Sequence, residues 1–267
     1  LGIPFLVIYL IQILDTTIRG RKDIEDNLSI PFLGDIPQYS GEKQRGSFVV
    51  RENGRDPVSE AFRMIRSNMN FMNLGKSEIK VIMVTSSNPH AGKTFVSTNL
   101  AMTFATTGKK VVIMDLDLRR RTFSKQMGHG GDTNGVSSYL SGSTELQAII
   151  RKSKLSEKLD IIYAGIQPPN PSEMLLSQRM EELTAELKLR YDYIIIDSTP
   201  AMAVADAIIT DRLADLSIYV VREGLLDRRP LPDIERLYRE KKFHNMAIIL
   251  NGASSIKRHG YGYGCGY

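Results

Sequence analysis

The chain has 267 residues, 42% of them hydrophobic, enough to bury the core of one large domain with extensions. Its formal charge of +5, from 35 basic and 30 acidic residues, is a modest excess that gives no ground for a nucleic-acid partner. A single cysteine, Cys265, excludes an internal disulfide framework and fits a reducing compartment, and the four histidines lack zinc-site spacing.

Residues 1–14 are apolar apart from Gln12, and a basic cluster of Arg19, Arg21 and Lys22 follows. A buried core helix would explain the apolar run alone. The basic flank on its C-terminal side favours the end of a transmembrane helix over residues 1–18, with the rest of the chain cytoplasmic. A signal peptide would place its basic residues first. Residues 19–54 read as a juxtamembrane segment and linker, in which 29–37 is an apolar patch docked on the main domain and 38–54 is a mobile stretch. A helix is expected from Pro57, with Glu60, Arg63 and Arg66 recurring every third residue along one stripe. The apolar residues Ala61, Phe62, Ile65 and Met69 lie largely elsewhere, so the stripe is expected to be exposed. It is either a solvated, salt-bridged face or a subunit contact.

Residues 81–94 organise the rest. A β-branched apolar run ends in Ser87-Asn88-Pro89-His90-Ala91-Gly92-Lys93-Thr94, and Phe95 opens a stretch with helical spacing. The order strand, small-residue loop, Gly-Lys-Thr, helix is the context of a phosphate-binding loop, in which backbone N–H groups and the helix N-terminus meet an anion. Lys93 would reach the β- and γ-phosphates, and the Thr94 hydroxyl would bind Mg²⁺. Ser87 stands where the usual motif has its first glycine. A turn that binds nothing would not require strand, loop length, Lys and Thr to agree.

A second apolar strand, around 110–116, ends in Asp115 and Asp117, followed by Arg119, Arg120 and Arg121. Two acids at a strand end, beyond which open α/β sheets bind ligands, fit a metal or a proton-accepting role. A third strand covers 159–164, and Pro168 to Glu173 stops it and caps one long amphipathic helix to about Arg190. A fourth strand, 191–197, ends in Asp197 as a Walker-B strand does, with that acid supporting Mg²⁺. Strands at 216–221 and 246–250 complete six, alternating with helices. The fold class is therefore α/β: a doubly wound, mostly parallel sheet flanked by helices, over a main domain of residues 55–256. Residues 257–267 alternate glycine with larger residues, including Tyr261, Tyr263 and Tyr267, and read as a flexible tail offering phosphoacceptors.

Together these motifs resemble the bacterial tyrosine kinases (BY-kinases), the cytoplasmic domains of polysaccharide co-polymerases in capsule and exopolysaccharide export. The likeness runs over essentially the whole chain, in family order: the Walker-A-like loop from Ser87 to Thr94, the Asp115-x-Asp117-x-Arg119 motif, the strand ending at Asp197, the Glu60/Arg63/Arg66 helix and the tyrosine tail. The three nucleotide motifs are shared with MinD/ParA-like P-loop ATPases; the helix stripe, the tail and the preceding apolar segment separate the two groups. The resemblance implies ATP and Mg²⁺ as cofactors. It gives Lys93, Asp115, Asp117 and Asp197 as catalytic residues, and Thr94, Asp115 and Asp197 as metal-supporting ones. It further implies a homo-oligomeric ring held by Glu60, Arg63 and Arg66, tails entering neighbouring sites, and partnership with the export machinery and a cognate tyrosine phosphatase. A switch ATPase, or a scaffold gated by ATP, is the competing expectation; neither produces phosphotyrosine.

Overall fold

The computed structural model describes residues 16–39, 48–72 and 78–254. Helices α1 (Arg21–Glu25), α2 (Pro57–Met72), α3 (Lys93–Ala105), α4 (Thr122–Gln126), α5 (Val136–Leu140), α6 (Leu146–Ile149), α7 (Pro171–Leu176), α8 (Gln178–Arg190), α9 (Asp206–Asp211) and α10 (Leu231–Arg239) surround one sheet. Its strands are β1 (Phe32–Pro37), β2 (Val81–Ser86), β3 (Val111–Asp115), β4 (Ile150–Lys152), β5 (Leu159–Ile162), β6 (Tyr193–Asp197), β7 (Leu216–Arg222) and β8 (Met246–Ala253). They lie in the order β1-β8-β7-β2-β6-β3-β5-β4, every neighbouring pair parallel except β4 with β5.

The continuous apolar runs follow from this topology, because a sheet covered on both faces buries every side chain of its central strands. Ile82 and Val84 of β2 join Phe62 and Ile65 of α2 and Val96 and Leu100 of α3 on one face. Val81 and Met83, one residue out of phase, join Leu183 and Leu187 of α8 and Ile234 of α10 on the other. Helix α3 is buried throughout from Val96 to Ala105. Its hydroxyls tolerate this because they bond to carbonyls one turn back: Thr98 Oγ1 donates to Thr94 O (2.8 Å) and Thr103 Oγ1 to Asn99 O (2.6 Å).

Four expectations need correction. The sheet has eight strands rather than six. The patch at 29–37 is β1, a parallel edge strand on β8, where Pro37 and Gly34 are tolerated; β4 is a three-residue antiparallel edge with Arg151 and Lys152 exposed. The long helix after Asn170 is two helices, broken at Ser177, whose ψ of 152° is extended. Part of the supposed mobile linker is held, since Val49 and Val50 donate their N–H groups to Asn99 Oδ1 at 2.7 and 2.9 Å. Thr16–Ile18, assigned to a membrane helix, instead pack on the domain: Thr17 bridges Asp227, and Ile18 is fully buried with its N–H on Leu226 O. The reason is local, as β7 ends in a turn whose backbone groups need partners. The expectation of a membrane helix for residues 1–14, and that of a flexible tail with Tyr261, Tyr263 and Tyr267, lie outside the described residues. Among the described residues, no helix is long and apolar enough to cross a membrane.

Candidate functional site

The phosphate-loop stretch follows β2 and runs straight into α3. Ala91 is buried, Asn88 and His90 are exposed, and His90 (φ 65°) and Gly92 (φ 96°) take left-handed backbone angles. Glycine is required at 92 twice over, since a Cβ there would also lie 2.1 Å from Asn251 Nδ2. That Asn251 amide donates to Ala91 O (2.8 Å), so the end of β8 grips the loop from the side. Ser87, the departure from the usual glycine, has a reason to be serine: its hydroxyl pairs with the fully buried Tyr219 hydroxyl at 2.9 Å. On the β7 flank, Arg222 Nη1 reaches His90 O at 3.5 Å. The Phe95 ring, partly buried, packs against Phe62 and Tyr39.

Strand register assembles the acids. Asp115 at the end of β3 pairs with Asp197 at the end of β6, and Asp197 pairs with Val84 of β2, whose continuation is the loop. Asp197 accepts from Thr94 Oγ1 (2.7 Å) and Ser97 Oγ (3.1 Å). Asp115 has both oxygens occupied: Oδ1 accepts Asp117 N (3.1 Å), and Oδ2 accepts Ser124 N (3.0 Å) and Ser124 Oγ (2.6 Å). Asp117 differs. Its Oδ1 accepts Arg120 N (2.9 Å), while Oδ2 has no partner among the described residues.

The electrostatics follow from burying three carboxylates beside one lysine. Burial, then the nearby Asp197 charge, pushes Asp115 up to about 7, and burial pushes Asp197 up to about 6 against the pull of Lys93. Burial also raises Asp117. Lys93 is lowered by burial, against the opposing charges of Asp197 and Asp117. Such a site is short of positive charge beside its carboxylates, which is what a divalent cation arriving with a nucleotide would supply.

The residues fit that complex. Thr94 and Asp197 present hard oxygen donors side by side, and the hydroxyls of Ser198 and Thr199, just beyond Asp197, are buried without a partner among the described residues. No group of three His, Cys, Asp or Glu forms a self-contained metal cage among the described residues, so a hard cation there would draw further ligands from phosphate and water.

Lys93, Thr94, Asp115, Asp117 and Asp197 thus come together as expected. Sequence reasoning missed Ser97, Ser124, Tyr219 and Asn251; only Asn251, a polar residue closing an apolar strand as Asp115 does, carried a signal. The Glu60/Arg63/Arg66 stripe lies on α2 and is partly engaged within the chain. Arg63 pairs with Glu60 and Gly54 O, and Arg66 Nη1 donates to Thr103 O (2.9 Å). Glu60 remains 57% exposed at its side chain, and Met64 is 62% exposed on the same helix.

Comparison with known proteins agrees with this geometry. Residues 79–221 match the AAA domain family. The tyrosine-protein kinase YwqD of Bacillus subtilis is 32% identical over 84% of this chain and 93% of its own length. The tyrosine-protein kinase etk of Escherichia coli is 33% identical over 81% of this chain, which spans only 29% of that longer relative. The solved kinase domain of Escherichia coli ETK superposes with a TM-score of 0.78 at 30% identity, covering 94% of this chain and 100% of that one. With loop, paired strand-end acids and β8 clamp on one frame, and 32% identity over nearly the full length of YwqD, this chain belongs to the bacterial tyrosine-protein kinases.

Proposed function

We propose that the chain is an ATP-dependent protein-tyrosine autokinase that phosphorylates Tyr261, Tyr263 and Tyr267 of neighbouring subunits. In this reading, phosphorylation drives cycles of ring assembly through Glu60, Arg63 and Arg66, and so regulates polymerisation and export of a capsular or exopolysaccharide at the inner membrane. The observation that carries it is the free Asp117 Oδ2 beside Lys93, in a site whose other two carboxylates are already engaged.

The loop N–H groups and Lys93 would hold the nucleotide phosphates, and Thr94 with Asp197 would hold Mg²⁺, which neutralises charge on the phosphates. A tyrosine hydroxyl ionises near pH 10, so its proton must go to a base as the new P–O bond forms. Asp117 Oδ2 takes that proton, and a pKa raised by burial makes it the better base. The Pγ–O bond to ADP breaks, and ADP leaves with the bridging oxygen. Asp115, with no free oxygen, acts by fixing the Asp117 backbone.

The test is phosphotyrosine detection on purified protein given Mg-ATP, comparing parent with Lys93→Met. Phosphotyrosine in the parent alone supports the reading. Its persistence in Lys93→Met would show that the site is elsewhere, and its absence from both would favour a switch ATPase or an ATP-gated scaffold.

A further inference from the structure

Three consecutive arginines follow Asp117, and they have different fates. Arg119 is committed: its Nε donates to Asp206 Oδ2 (2.6 Å) and its Nη2 to Ser172 Oγ (2.9 Å), and Asp206 is buried. Releasing Arg119 would strand a buried carboxylate. Arg121 turns away through a left-handed backbone (φ 53°) and gives Nη1 to Gly165 O (3.0 Å). Arg120 is exposed, and its side chain makes no hydrogen bond or ion pair among the described residues. Its own backbone N–H is on Asp117 Oδ1 at 2.9 Å, which anchors it over the one acid with a free oxygen.

We propose that Arg120 is a catalytic residue whose guanidinium contacts the phosphoryl group during transfer. The inference rests on the phosphotransfer reading above and adds a residue to it. Phosphoryl transfer spreads negative charge over three equatorial oxygens, and a planar guanidinium matches two of them at once. Against that charge and three buried carboxylates the site offers Lys93, while Arg222 lies on the other flank of the loop. Arg120 needs to break no existing pair to engage. Its charge adds to the lowering of Lys93 that burial begins and works against the burial-driven rise at Asp117, so it stands near both groups. The group-transfer step is unchanged: Pγ–O to ADP breaks, Pγ–O to the phenol forms, and the phenolic proton goes to Asp117.

The experiment compares parent, Arg120→Ala and Arg120→Lys as full chains, with tail phosphorylation and ATP consumption both followed at varied ATP. We expect Arg120→Ala to lose about 100-fold in kcat with little change in KM for ATP and an unchanged melting temperature. Arg120→Lys should recover part of the rate, and guanidinium added to solution should recover part of the Arg120→Ala rate, which a structural defect would not permit. Lys125→Ala, exposed on the following helix, should behave as parent. An unchanged kcat in Arg120→Ala, a rise in KM alone, or a loss that follows a lowered melting temperature and resists guanidinium would each overturn the proposal. If the parent consumes ATP without making phosphotyrosine, the kinase reading fails, yet the same kcat and rescue pattern on ATP consumption still decides the role of Arg120.

Discussion

Replacing Asp115 by Asn should make the nucleotide-free protein more stable at alkaline pH while disabling it. Asp115 is fully buried, and its carboxyl rises from 3.8 to about 7 on folding, from burial first and the Asp197 charge second. The folded chain therefore binds a proton more tightly than the unfolded chain between these two values. In that window the parent loses stability as pH rises. At about 1.36 kcal/mol per pH step, the penalty reaches on the order of 4 kcal/mol at pH 7 and above, against less than about 2 kcal/mol at pH 5. Asn carries no such penalty but loses acceptors. Ser124 N and Asp117 N both donate to Asp115, and an amide can satisfy only one, which costs about 1–3 kcal/mol at any pH. The difference between variant and parent should thus move in favour of Asn by about 3 kcal/mol from pH 5 to pH 8. Urea unfolding of both proteins at the two pH values, without Mg²⁺ or nucleotide, is the assay. A difference that does not change with pH, or that moves toward the parent, would show that Asp115 is not held protonated by its surroundings.

Four further outcomes are expected. Gly92→Ala should abolish nucleotide binding by calorimetry, since the left-handed angle and the 2.1 Å approach of Asn251 leave a side chain no room. Asn251→Ala should raise KM for ATP about 5- to 10-fold, the equivalent of one hydrogen bond of about 1 kcal/mol, with the melting temperature nearly unchanged. Arg63 and Arg66 changed together to Ala should give small species in analytical ultracentrifugation and slower phosphorylation; a melting temperature measured alongside separates loss of contact from loss of the bonds to Gly54 and Thr103. Phosphatase-treated protein should sediment as a larger species than phosphorylated protein, because three phosphates add a charge of about −5 to the tail; equal sizes would remove the assembly switch.

How much was legible in the sequence depended on how local each cause was. The loop, Asp115, Asp117 and Asp197 could be read because strand ends and a Gly-Lys-Thr step are written in consecutive residues. Strand β4 could not, because three residues with two charges carry no period, and only pairing with β5 makes them a strand. Ser177 gave no helix-breaking signal of its own; the backbone turns extended there with no proline or glycine to announce it. The Ser87–Tyr219 and Ala91–Asn251 bonds join residues 132 and 160 positions apart, and nothing local foretells such a pairing. The roles of the acids were also underdetermined. Sequence made Asp115 and Asp117 equivalent, and only the side-chain bonds distinguish an acid with both oxygens occupied from one with an oxygen free.

The central claim is phosphoryl transfer between chains from this site to the tail tyrosines. The most direct measurement mixes two inactive halves: Lys93→Met, which keeps its tail, and a chain with Tyr261, Tyr263 and Tyr267 all changed to Phe, which keeps its site. After incubation with Mg-ATP, mass spectrometry of each chain should find phosphate on the tail of Lys93→Met only in the mixture, and none on the Phe-substituted chain. Phosphate on Lys93→Met incubated alone, or no phosphate on its tail in the mixture, would contradict the account.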